Sequence, residues 1–271
     1  MLRTTKTSHM KTAAAIGLIT AALGFGGLAA EIAQTQAGEG KGAAAVQQAA
    51  AGNKYLFAFF YEKDDEATRA ARKTFDEGLK KLTPAPESVA VDRTAPGESE
   101  LVAKYGVERA PMPLVLALAP NGAVTGGFAA AQLTEERLRD SVASAGMQEC
   151  LKALQERKLV FICLQNRSTR DNEAAMTGVN EFKADARFAT ATYVVKVDPT
   201  DKSEVKLLAQ LKADPQAKVA STALLAPPGV MVVKVDGGTS KDTMVASLTK
   251  AMSSCGPSGC GPSGCGPAPA K

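Results

Sequence analysis

Tyr105 to Gly127 reads YGVERAPMPLVLALAPNGAVTGG, and the reading of this stretch decides the fold. Pro111 and Pro113 lead into an apolar run, a Pro-Asn-Gly turn follows, and a second short run closes the segment. Alternating short apolar runs joined by Pro, Asn and Gly predict two strands folded back on each other. A weaker copy, AKVASTALLAPPGVMVVKVDGG, stands at residues 217–238.

Working outward, the segments before Tyr105 alternate. YLFAFFY (55–61) is a run apolar enough for a strand buried on both faces. Residues 63–82 have helical spacing, with Ala67, Ala70, Ala71, Phe75, Leu79 and Leu82 on one face. Residues 88–92 predict a strand, 98–105 a helix ended by Gly106, and 134–145 a final helix.

The same order recurs downstream. KLVFICLQ (158–165) matches KYLFAFFY (54–61) at an offset of 104, and SEVKLLAQL (203–211) matches SELVAKYGV (99–107) at the same offset. Val197-Asp198 matches Val91-Asp92 at 106, and Gly229 matches Gly122 at 107. A near-constant offset over four landmarks implies duplication. Residues 147–158 predict a connecting helix, and 172–186 and 239–252 the two further helices of the second copy.

A strand–helix–strand–helix–strand–strand–helix order resembles the thioredoxin fold, and the resemblance sharpens at Pro113. Members carry a cis-proline there, followed by an apolar strand and a turn with Gly, which PLVLALAPNG (113–122) matches. The resemblance implies an α/β architecture of two tandem thioredoxin-like domains, each a central mixed sheet flanked by helices. Ala220 stands in the second copy where Pro113 stands in the first. The family also carries a Cys-x-x-Cys at the start of the helix after the first strand, where the helix dipole activates the thiol. Here those places hold Asp65-Glu66-Ala67-Thr68 and residues 166–171, without cysteine.

The ends read differently. Residues 1–12 are basic and polar, and AAAIGLITAALGFGGLAA (13–30) is apolar, which predicts a secretory signal peptide, with an N-terminal membrane anchor as the alternative. Met10 is as good a start as Met1. The organisation expected is therefore signal peptide and start of linker over 1–37, an Ala/Gly-rich linker over 38–52 with a weak helix around 43–51, domains over 53–146 and 147–252, and a tail over 253–271. A signal peptide places the protein in the periplasm or outside the cell, where disulfides persist, with no stable membrane span after cleavage. The tail repeats Cys-Gly-Pro-Ser-Gly, with Cys255, Cys260 and Cys265. It suits a flexible tail with incidental thiols, a disulfide attachment to a partner or a second copy, or a soft-metal site for Cu(I) or Zn. Cys163 falls in an apolar run and reads as a buried small hydrophobe; Cys150 reads as a structural or free thiol, or as a partner for the tail.

Composition excludes several chemistries. The net charge is +4, and residues 1–37 hold two of those charges as Arg3, Lys6 and Lys11 against Glu31. No basic run stands out, so nucleic-acid binding is not expected. The single histidine is His9, inside the expected signal segment, so a mature chain runs neither Ser-His-Asp nor Cys-His chemistry. Glu62, Asp64, Asp65 and Glu66 read as acids offsetting a helix dipole, and Arg167 and Arg170 as solvated. The expectation is a redox-inactive, non-enzymatic protein-binding or scaffold module. Its binding surface lies at Met112 and Pro113, where backbone beside the proline pairs with an extended peptide. The alternatives are thiol–disulfide exchange or soft-metal binding through the tail.

Overall fold

In the computed structural model, residues 40–253 are described. They contain two four-stranded sheets with the same topology. The first is built from α1 (Lys41–Ala51), β1 (Leu56–Tyr61), α2 (Glu66–Leu79), β2 (Glu87–Asp92), α3 (Ser99–Tyr105), β3 (Leu114–Leu118), β4 (Val124–Ala129) and α4 (Glu135–Asp140). The second is built from α5 (Ala145–Gln155), β5 (Leu159–Leu164), α6 (Asn172–Ala184), β6 (Thr192–Val197), α7 (Val205–Gln210), β7 (Ser221–Ala226), β8 (Val230–Asp236) and α8 (Lys241–Ser253). Strand orders are β2-β1-β3-β4 and β6-β5-β7-β8. In each sheet the central strand pairs parallel with one neighbour and antiparallel with the other. This is the thioredoxin-like fold, present twice in tandem.

Each central strand is buried on both sides because two helical layers cover it. Leu56, Ala58 and Phe60 pack with Val91, Leu101, Val102 and Leu116 on the α1/α3 side. Phe57 and Phe59 pack with Phe75, Leu79, Val115 and Leu138 on the α2/α4 side. Phe57, Phe59 and Phe60 are at most 1% exposed, and each such burial contributes about 2 kcal/mol. The second sheet repeats this, with Val160, Ile162 and Leu164 towards α5 and α7, and Phe161 and Cys163 towards α6 and α8.

Several boundaries differ from the sequence expectation, each for a local reason. α2 begins at Glu66 rather than 63, because Asp65 caps it by accepting from the Thr68 N–H at 2.8 Å. Its buried face uses Thr68, Phe75, Gly78 and Leu79, leaving Ala67 and Ala70 exposed. The helix expected over 134–145 is shorter: α4 stops at Asp140, and the connecting helix expected over 147–158 begins two residues earlier as α5, capped by Ser144. The weak helix expected around 43–51 within the 38–52 linker is α1, and its Ala49 is buried against the first sheet.

The duplication holds, but one matched segment slips. Gly106 (φ 63) ends α3 and Lys212 (φ 50) ends α7, both left-handed. Val107 N–H donates to Val102 and Ala213 N–H to Leu208, at 3.1 and 2.9 Å. The offset over this helix is therefore 106, not the 104 that SELV and SEVK suggested. In the true register Glu98 corresponds to Glu204. Both are buried, at 6% and 4% exposure. Glu98 accepts from the Gly42 N–H at 3.0 Å, and Glu204 from the Gly146 N–H at 2.7 Å and the Ser144 hydroxyl at 2.5 Å. Each acid thus satisfies the open start of its own domain's leading helix.

Candidate functional site

The first-domain site lies at the 111–113 segment, just after the Ala110 carbonyl that Arg93 ties to Glu62 ahead of α2. Met112–Pro113 is a cis peptide bond, as the resemblance implied, and Pro113 C=O accepts from the Ala130 N–H at 2.9 Å. Met112 is half-buried and packs against the core cluster that contains Leu116 and Val107. Among the described residues, the Met112 N–H and C=O have no hydrogen-bond partner. A half-buried backbone donor and acceptor left open beside a sheet is a place for another strand to pair.

Arg93 braces this segment. Its guanidinium donates to the carbonyls of Val107, Glu108 and Ala110 at 3.3, 3.1 and 2.9 Å, and it pairs with Glu62. The α2 start itself holds only exposed acids, capped by Asp65, whose carboxyl is held below its usual range chiefly by the Thr68 N–H. The acidic group 62–66 therefore acts as a helix cap and as Arg93's counter-charge.

The second domain solves the same place differently. The loop 166–171 is knotted by its own polar side chains: Asn166 N–H donates to the Thr169 hydroxyl at 2.9 Å, which donates to Asn172 at 2.7 Å. Arg170 N–H donates to Lys218 C=O and Ala220 N–H donates to Arg170 C=O, both at 2.9 Å, bracketing an Arg170–Val219 bridge. The two loops are thereby joined. The first domain has no such link, because Pro113, in the place of Ala220, has no N–H to give. The side chains of Arg167 and Arg170 are exposed.

A second exchange opens space. Asp92 and Asp198 cap Thr94 and Thr200 identically, so Pro199 stands where Arg93 stands. Without a guanidinium, a cavity of about 450 Å³ remains, bordered by Pro199, Lys212, Lys218, Val219, Ser221 and Lys234. The Ser221 hydroxyl there is buried without a partner. Sequence reading missed the exchange; the paired VDRT and VDPT segments carried the signal.

The thiols are accounted for in part. Cys150 and Cys163 are free, 2% and 1% exposed, and burial pushes each up to about 11. Both stay protonated and enclosed at neutral pH, which disfavours nucleophilic chemistry and pairing with the tail. Cys255, Cys260 and Cys265, and the expected signal segment, lie outside the described residues. Among the described residues no cluster of His, Cys, Asp and Glu fits a metal ion, and no helix is long and apolar enough to cross a membrane.

No family model and no curated protein matches the chain. Solved structures similar to it include a disulphide isomerase from Xylella fastidiosa Temecula1, 18% identical, aligned over 36% of this chain and 82% of that one with a TM-score of 0.29. The first two thioredoxin domains of Saccharomyces cerevisiae Eps1p are 12% identical over 74% of this chain and 92% of that one, with a TM-score of 0.27. The zinc-bound form of human ERp44 is 10% identical over 78% and 59%, with a TM-score of 0.31. At such identities and scores, the fold stands on the strand order and registers above.

Proposed function

We propose that this is an exported, redox-inactive binding module that holds an extended segment of a protein partner at the Met112 backbone. The observation that carries this reading is the unpartnered N–H and C=O of Met112, half-buried beside Pro113 and braced by Arg93. The absence of cysteine from both helix starts supports a shape kept without thiol exchange. The joined loops of the second domain support the first domain as the site.

The test begins with random peptides displayed on phage and selected against the full chain. A selected peptide is then titrated into isotope-labelled protein. The Met112 amide is expected to shift and to exchange more slowly with solvent. Met112→Pro removes the donor and is expected to weaken binding at least tenfold, about 1.4 kcal/mol, with an unchanged circular dichroism spectrum. Failure to enrich any peptide, or equal binding by the variant, overturns the reading.

A further inference from the structure

The two domains differ in concert at one place, the cavity beside Pro199. It lies on the sheet face that α5 and α7 cover: Leu164 borders it, and Ser221 shares a face of β7 with Ala223 and Leu225. In the first domain the same place is filled. The Arg93 guanidinium lies there against the carbonyls of Val107, Glu108 and Ala110, and Leu114, the counterpart of Ser221, packs against the apolar core. The strand registers set this correspondence: Leu114 pairs with Ala129 as Ser221 pairs with Asp236. At the other end of the same strands, the edge of β4 is closed by the Gln155 side chain of α5. Its oxygen accepts from the Val124 N–H at 3.0 Å and its NH₂ donates to the Val124 C=O at 2.7 Å. β8 pairs with β7 alone among the described strands.

Polar groups at the cavity stand where the first domain has uncharged residues. Lys212 replaces Gly106, Lys218 replaces Pro111, Ser221 replaces Leu114, Lys234 replaces Gly127 and Asp236 replaces Ala129. The lysines come from three separate segments: the end of α7, the loop before β7, and β8. Among the described residues the Lys212 and Lys218 ammonium groups have neither an ion pair nor a hydrogen bond, and Lys234 donates only to Lys212 C=O, at 3.0 Å. An ammonium has three protons to give, so most of this donor capacity is unused. Two acids border the cavity, and one Asp214 oxygen is already held by the Gln216 N–H at 2.8 Å. Positive charge is therefore in excess. Ser221 is 5% exposed and its hydroxyl has no partner among the described residues. A single exposed lysine is ordinarily a solvated one, but an unsatisfied buried hydroxyl beside three of them needs another explanation.

We infer that this cavity binds a small molecule carrying an oxyanion, a carboxylate or a phosphate. Its charge is met by Lys212, Lys218 and Lys234, and one of its oxygens accepts from the Ser221 hydroxyl. A volume of about 450 Å³ is in the range of small-molecule sites. Lys212, Lys218 and Asp236 are exposed, so the mouth is open to solvent. The site belongs to the second domain and is independent of the Met112 backbone in the first.

Amide spectra of the isotope-labelled full chain, titrated separately with inorganic phosphate, with succinate and with neutral succinamide, test this. The Val219 and Ser221 amides are expected to shift saturably with phosphate or succinate and to stay in place with succinamide. The tighter of the two anions identifies the phosphate or the carboxylate as the group recognised. Ser221→Ala and Lys218→Met are each expected to weaken that binding about fivefold, with unchanged circular dichroism spectra. Lys73→Met, at an exposed position on α2, is expected to leave it unchanged. Absence of a saturable shift with either anion overturns the inference. So does binding that both cavity variants retain in full, or that Lys73→Met weakens equally, since either result marks general attraction to a basic surface.

Discussion

At the residue scale, Glu204 and Glu98 show how this chain uses buried charge. Among the described residues neither has a cationic partner in reach; each carboxylate is met by backbone or hydroxyl donors at the start of a helix. A buried carboxylate is tolerated when its oxygens are satisfied, and helix N-termini supply donors with the right sign of potential. Glu204→Ala leaves the Gly146 N–H and the Ser144 hydroxyl proton without an acceptor. We expect it to lower unfolding free energy by about 2–3 kcal/mol, measured by urea denaturation. A loss under about 0.5 kcal/mol shows that water or a rearranged helix start replaces the carboxylate. The same scale separates Lys212 from Gly106: the position demands a left-handed residue, and only the first domain places glycine there.

At the scale of elements, the helices that cover each sheet are positioned by close contacts as much as by apolar area. α6 crosses the start of α8 at Gly178, where an added Cβ falls 2.6 Å from the Thr239 carbonyl carbon and 2.9 Å from Ser240 Cα. Those atoms are backbone and yield little. Helix propensity favours alanine over glycine by about 1 kcal/mol, while forced overpacking costs about 1–3 kcal/mol and here acts on backbone. The clash wins, so Gly178→Ala is expected to lower the thermal midpoint by several degrees, about 1–2 kcal/mol, as read by calorimetry. An unchanged or raised midpoint shows that α8 shifts freely. Phe182 of α6 meets Phe161 of β5 edge to face, with centroids 5.1 Å apart, and stacks on Phe188 at 4.3 Å, which ties α6 to the sheet.

At the scale of the whole molecule, the two domains meet through α5 and the segment before it. The Tyr55 hydroxyl accepts from the Ala143 N–H at 2.8 Å and donates to Ala143 C=O at 3.1 Å, tying the first strand to the crossing point. Asp140 and Lys206 pair across the junction at 2.8 Å, but both are more than half exposed, so this bond adds little. The Gln155 amide is the more directional tie. Gln155→Ala is expected to speed hydrogen exchange of the Val124 amide about fivefold while leaving the β1 amides unchanged. Equal exchange rates place the junction's strength elsewhere along α5.

Much of this architecture was legible in one dimension. Aromatic and aliphatic runs at 55–61 and 158–165, the Pro113 segment and its later copy were enough to place two thioredoxin-like sheets, because a strand buried on both faces must be apolar at every position. Missing cysteines at 65–68 and 166–171 were equally legible, since residue type alone determines whether a thiolate can form. The cis bond before Pro113 was legible from its place in the order of elements. Other features were not legible. Register across α3 and α7 slipped by two, because a short apolar helix matches its copy at several offsets until its cap and packing face are known. The burial of Glu98 and Glu204, the opening left by Pro199 and the covering of β4 by α5 depend on residues far apart in the chain. Local sequence determined which segments become strands and helices and which chemistry they lack. Tertiary structure alone decided which backbone edges are covered and which stay open, because an edge is closed by whatever the rest of the chain brings against it.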